Sequence, residues 1–241
     1  MKILAIDTSC KTAMAVLSEN GNVISAIQLH DNKTHSVKLL PAVEYILDAA
    51  GVEPAQVEAV AVTNGPGSYT GLRIGVTTAK TFAYTLKIPL VGINTLEVLA
   101  APWNFDDCGA KEAEEEEEDT VVCPMIDARN ARVYTSIYKT GKIISETQAM
   151  ECTELCDKLL QLDCKKIVFT GDGSLANREL LLERLGDKCV FVPTEMACGN
   201  PTALAYVAAK EISVAAESGK LAECTAEGLK VNYYKNYTDS I

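Results

Sequence analysis

Histidine is nearly absent from this chain, with only His30 and His35 in 241 residues. They stand five apart, a poor spacing for two ligands on one helix face, and no Ser–His–Asp or Cys–His arrangement can be built from spacing. A metal-dependent or histidine-activated hydrolase is therefore not expected. Basic charge is also scarce. Twenty-two Lys and Arg face 33 Asp and Glu, for a net charge of −11. A free-standing nucleic-acid binder carries a basic patch, and none is visible here. If the chain works on RNA, another subunit supplies the positive surface. Long hydrophobic runs are missing too: none approaches the roughly 20 residues of a membrane span. The N-terminus, Met1-Lys2-Ile3-Leu4-Ala5-Ile6-Asp7, meets a charge too early for a signal peptide and has no cleavage site. The expectation is a cytoplasmic protein with no membrane association.

What is present fits a soluble globular chain, 48% hydrophobic and 23% charged. Its length allows one large domain or two small lobes. Nine cysteines, an odd number without regular spacing, read as reduced thiols. Cys152 and Cys156 are four apart, which would set two sulfurs on one helix face, but zinc needs further ligands that the sequence does not offer.

Periodicity organises the chain into two similar halves. Strands fit Lys2–Asp7, Thr12–Ser18 and Val23–Leu29, with Asn20-Gly21 as a two-residue hairpin turn. A helix capped within Thr34–Ser36 runs to about Ala50 and ends at Gly51. Strand Val57–Val62, a helix to Leu86, strand Pro89–Ile93 and a short helix from Thr95 follow. Residues 103–119, with Glu112, Glu114–Glu118 and Asp119, read as an acidic solvated loop. The pattern then restarts: strands Val121–Asp127, Arg132–Lys139 and Lys142–Met150, a helix at Thr153–Leu162, strand Lys166–Thr170, a glycine turn, one helix to Leu185, and strand Val190–Val192. Asn200-Pro201-Thr202 opens a last, alanine-rich helix to about Ser218. Two βββαβα lobes are expected, 1–102 and 120–241, with the helix at about 202–218 packing back on the first. Doubled lobes of this order characterise the actin-like, Hsp70-like ATPase (ASKHA) α/β fold, which binds ATP between its lobes.

Thr63–Gly75, T-N-G-P-G-S-Y-T-G-L-R-I-G, is the densest motif. It joins a strand to a helix, with Ser68 or Thr70 as the cap. Its glycines serve either a tight turn or the close approach of another group to the backbone. A nucleotide reading of the chain uses Asp7 for a metal-bound water, Ser9 and Lys11 for phosphate, and Gly171 and Gly173 for a second phosphate or adenosine. In that fold the first hairpin usually reads Asp-x-Gly-Thr; here Ser9 replaces the glycine, so the expectation is a vestigial cleft rather than an efficient ATPase. Asp127-Ala128-Arg129 after a strand reads as an intramolecular ion pair or a surface site.

Two helices carry more apolar surface than one core stripe needs. The first holds Val37, Leu39, Leu40, Val43, Ile46, Leu47 and Ala50. The second has a ridge of small residues, Gly71, Gly75, Ala79 and Ala83, flanked by Leu72, Val76, Phe82 and Leu86. Either both helices are deeply buried in the lobe or the surplus meets another subunit.

Taken together, Ile6-Asp7-Thr8-Ser9, His35-Ser36, Leu39-Leu40-Pro41, Gly65–Gly75 and Ile126-Asp127-Ala128-Arg129 closely resemble the bacterial TsaB (YeaZ) family over almost the whole chain. The acidic loop and Tyr233-Tyr234-Lys235-Asn236-Tyr237 depart from the family's pattern. The resemblance implies an actin-like fold and a non-catalytic subunit in making N6-threonylcarbamoyladenosine at tRNA position 37. It implies TsaD, a paralogue that transfers the threonylcarbamoyl group, as heterodimer partner, with the ATPase TsaE joining the pair and tRNA met only through the complex. No cofactor or metal is implied. TsaD's histidine pair falls here on Thr95 and Leu99, which cannot ligate a metal. In the family the two helices form a bundle with their TsaD counterparts, or self-associate when alone. That places the partner surface on Val37, Leu40, Val43, Leu47, Leu72, Val76, Ala79 and Phe82. A stand-alone ATP-dependent kinase is the alternative, and a metallopeptidase the more remote one.

Overall fold

The computed structural model describes residues 1–30, 35–103 and 119–234. The acidic run 112–118, the proposed cap Thr34 and the departing residues 235–237 lie outside them. The first half forms β1 (Lys2–Asp7), β2 (Thr12–Glu19), β3 (Asn22–His30), α1 (His35–Ala50), β4 (Ala59–Gly65), α2 (Tyr69–Leu86), β5 (Leu90–Asn94) and α3 (Thr95–Ala100). The second forms β6 (Thr120–Arg129), β7 (Arg132–Lys139), β8 (Lys142–Glu151), α4 (Cys152–Leu160), β9 (Lys166–Thr170), α5 (Asp172–Ala176), α6 (Arg178–Leu185), β10 (Cys189–Phe191) and α7 (Pro201–Glu217). The order βββαβα occurs twice.

Each half builds one five-stranded sheet. The first runs β3-β2-β1-β4-β5, the second β10-β9-β6-β7-β8, which is the same order read in reverse. In both, the first strand is central, antiparallel to the second and parallel to the fourth. Hairpin turns explain the antiparallel half. Asn20 and Gly21 take φ of 51° and 82°, Thr140 and Gly141 46° and 72°, the left-handed pair whose twist matches the flanking strands. The central strands are apolar nearly throughout because both their faces are covered, while β3 and β8, at the edges, are exposed or half-buried along almost all their length.

Compact units follow these sheets with one exchange. Met1–Val98 and Asn200–Asn232 form the first, and Leu99–Gly199 the main part of the second. In the first, α1 and α2 pack through Leu39, Val43, Ile46, Leu47, Val76, Ala79 and Ala83 onto Leu4, Ile6, Ala15, Leu17, Val60 and Val62. Helix α7 lies against β1, β2, β3 and β5 of the same sheet. Asn200 caps it, its Oδ1 accepting from Ala203 N at 2.8 Å, with Pro201 where a missing N–H costs nothing. In the second unit, Leu155, Cys156 and Leu159 of α4 with Leu181 and Leu185 of α6 cover Val121, Cys123, Met125, Val133 and Ile137.

The helix expected to run unbroken from the second glycine turn to Leu185 is two helices. Asn177 leaves helical geometry at φ −112°, and its Nδ2 donates to Gly173 O at 2.8 Å. A short amide side chain competes with the backbone for helical hydrogen bonds, and here it ends one helix and begins another.

Candidate functional site

Asp7 ends β1 and is buried. Its Oδ1 accepts from Ser9 N (2.8 Å), Ser9 Oγ (2.6 Å) and Thr63 Oγ1 (2.7 Å). Two members of the sequence-derived nucleotide set are thus brought together, but they engage each other. Lys11 is exposed in the following turn.

The glycine segment closes on that same turn. Ser68 caps α2, accepting from Gly71 N at 3.3 Å, and Ser68 N donates to Ser9 O at 2.7 Å. Thr8 Oγ1 donates to Gly71 O at 2.7 Å. A Cβ on Gly71 would run into the Thr8 carbonyl oxygen. The room these glycines leave is therefore filled by the chain's own first turn, which settles the two readings of the motif in favour of close packing.

The second unit repeats the device. Gly171, at φ +87°, and Gly173 have no room for a Cβ because the β6 backbone at Met125–Asp127 occupies it. Asp172 Oδ1 accepts from Asp127 N at 3.1 Å. The expected Asp127–Arg129 ion pair is replaced by a backbone contact: Asp127 Oδ1 accepts from Arg129 N at 2.8 Å. Arg129, Asn130 and Ala131 all take left-handed φ, 67°, 52° and 58°. None is glycine, and each non-glycine residue held there costs about 1–2 kcal/mol, less for asparagine.

The eight partner residues expected on α1 and α2 fall into two groups. Val37 and Leu40 are exposed, Val37 at 71%. Val43, Leu47, Leu72, Val76 and Ala79 are buried in the unit's own core, and Phe82 packs against it. Their apolar character is already used by the sheet, so they cannot line an outward face. Residues that the sequence reading passed over stand outward instead: Tyr45 on α1, and Tyr69, Arg73 and Tyr84 on α2. The Arg73 guanidinium lies 4.1 Å above the Tyr69 ring. Tyr69 four residues before Arg73, the spacing that sets a ring beside a guanidinium on one helix face, was the available signal.

The start of the motif has a second tie. Asn64 Nδ2 donates to Lys230 O (3.1 Å), and Asn232 N donates to Asn64 O (2.8 Å). Leu90 N donates to Cys224 O (2.9 Å), with Ala226, Leu229 and Val231 against the core.

Thr95 and Leu99 are both buried. Among the described residues, no group of three or more His, Cys, Asp or Glu is placed to hold a metal ion. His35 opens α1 and lies 3.4 Å from Cys10 O, a packing role. Cys152 and Cys156 share the buried face of α4 and hydrogen-bond each other, which with burial raises the Cys152 thiol above its usual range. Burial pushes Cys123 up to about 12. These are core thiols. No helix among the described residues is long and apolar enough to cross a membrane.

Two βββαβα lobes, each with a glycine turn seated against its first strand, define the actin-like class that includes the sugar kinases. A ROK hexokinase from Thermus thermophilus superposes with a TM-score of 0.50 at 12% identity, over 89% of this chain and all of that one. YeaZ from Pseudomonas aeruginosa superposes better, with a TM-score of 0.72 at 24% identity over 96% and 99% of the two chains. The family TsaD, tRNA N6-adenosine threonylcarbamoyltransferase, matches residues 22–234. A curated relative, the tRNA threonylcarbamoyladenosine biosynthesis protein TsaB of Bacillus subtilis, is 32% identical over 211 residues, 86% of either chain. The chain belongs to the TsaD family, and its likeness to the TsaB members extends over most of its length.

Proposed function

We propose that this chain is a non-catalytic, cytoplasmic subunit of tRNA N6-threonylcarbamoyladenosine biosynthesis, which binds and activates a TsaD-type transferase. The observation that carries the reading is the outward face of α1 and α2. Val37, Leu40 and Tyr45 on one helix, and Tyr69 and Tyr84 on the other, expose large apolar surface beside Arg73. Aromatic and arginine residues dominate binding energy at protein interfaces, and here the aliphatic residues that hold the helices lie inside. The absence of catalytic activity is supported by chemistry rather than by any empty site. Thr95 and Leu99 offer no imidazole, and the Asp7–Ser9 turn spends its polar groups on itself. A TsaE-type ATPase joins through the pair, and tRNA is met through the assembled complex, because an acidic chain of net charge −11 repels a polyanion. Without the transferase, the same face supports self-association.

The test is reconstitution. Val37→Asp, at an exposed position, leaves the fold intact and weakens binding to the transferase by roughly 30-fold, the scale of one interface hot spot. tRNA modification falls with it. Full-rate modification by the transferase, ATPase and threonylcarbamoyl-AMP synthase without this chain would sink the reading.

A further inference from the structure

The β6–β7 turn, Asp127–Ala131, is part of neither the core nor the α1/α2 face. It is held by three hydrogen bonds at once. Asp127 N donates to Asp172 Oδ1 (3.1 Å), Arg129 N donates to Asp127 Oδ1 (2.8 Å), and Cys152 N donates to Ala131 O (3.0 Å). Together they fix three successive non-glycine residues in left-handed geometry. Strained backbone persists only where its surroundings over-determine it.

The side chain carried at that point is exceptional in this chain. Arg73 stacks on Tyr69, Arg178 on Phe191, Arg184 pairs with Asp157 at 3.7 Å, and Arg132 has a partner of its own. Arg129 is exposed, and among the described residues its guanidinium has no hydrogen bond, ion pair or ring contact. A rigid turn thus presents an unspent, planar, five-donor cation in a chain of net charge −11.

We infer that Arg129 is a second docking point of this protein, receiving an aspartate or glutamate side chain of a protein partner. A guanidinium fork matches a carboxylate bidentately, and a preorganised turn loses little freedom on binding. The flanking groups favour protein over nucleic acid. Asp127 is itself exposed, and Asp172 is only partly covered, so the turn can pair one anionic group at Arg129 but not the run of charges of a polyphosphate. Nucleic-acid affinity is built from several phosphate contacts, whereas one isolated arginine with acceptors around it suits the mixed donors and acceptors of a protein surface.

The inference rests on the function proposed above for its choice of probes, the TsaD-type transferase and TsaE-type ATPase of the same organism. Assembly of the full-length protein with each, and with both, is followed by calorimetry and mass photometry. Arg129→Ala weakens one of these complexes by roughly 30-fold. Arg129→Lys restores little, because a point charge lacks the fork. Arg129→Gly raises Tm by removing left-handed strain while weakening the complex as much as Arg129→Ala, a split that a purely structural role would not give. Wild-type affinity in Arg129→Ala for both proteins overturns the inference. So does an effect confined to tRNA binding, seen as a salt dependence reduced by about one phosphate contact. Val37→Asp separates the two readings: if it is harmless while Arg129→Ala is not, the helix face fails and the turn stands.

Discussion

The two sheets share a strand order, yet they differ where the fourth strand parts from the central one. In the first, Thr63 on β4 donates to the buried carboxylate of Asp7 on β1. In the second, Thr170 on β9 lies opposite Pro124 on β6. Proline offers no side-chain acceptor, and Thr170 Oγ1 is buried without a partner among the described residues. Ser136 falls on the same row by the register of its neighbours, and its Oγ is likewise unsatisfied. One lobe has kept a polar junction that fastens its first turn. The other has hydroxyls without a side-chain acceptor at that place, and its turn projects Arg129. Duplicated architecture does not carry duplicated chemistry.

The glycine contacts are where the lobes agree most, and breaking them should cost most. Gly71→Val drives a side chain into the Thr8 carbonyl, and Gly171→Val meets the Met125 carbonyl at a left-handed φ. Each is expected to lose about 3 kcal/mol or more in urea denaturation. A loss under about 1 kcal/mol would mean that the turns yield. One substitution made at two equivalent positions then separates the lobes by sign. Thr63→Val removes a donor to a buried carboxylate and costs about 2 kcal/mol, whereas Thr170→Val removes an orphaned hydroxyl and gains about 1 kcal/mol. Equal effects at both positions would erase the distinction. The smallest effect concerns thiols. Because burial holds the Cys123 thiol at about 12 and Cys152 is likewise raised and buried, alkylation of the native protein at pH 8 should leave both unmodified. Rapid labelling of these two would show that the second core opens readily.

Much of the fold was legible because strand alternation and the Asn20-Gly21 and Thr140-Gly141 turns are local signals. The doubled order of elements needs nothing else. The break at Asn177 was not legible, since a side chain capturing Gly173 O looks in sequence like any polar helical residue. Partner residues were legible only in part. The apolar positions of α1 mark two faces, and periodicity does not say that Val43 and Leu47 face the sheet while Val37 and Leu40 do not. Asp127 and Arg129 suggested an ion pair by charge alone, but the backbone N–H of Arg129 reaches the carboxylate first and leaves the guanidinium free.

The contribution of residues 200–232 to the first unit bears on how the chain is made. Helix α7 and the segment that ties Cys224 to Leu90 and Asn232 to Asn64 leave the ribosome only after the second unit's main segment. The second unit, Leu99–Gly199, has its whole main segment available before they emerge. The lobe whose strands are made before the other's is therefore the one completed after it. Until α7 arrives, β1, β2 and β3 wait with an uncovered apolar surface, the state in which a nascent chain most needs a chaperone.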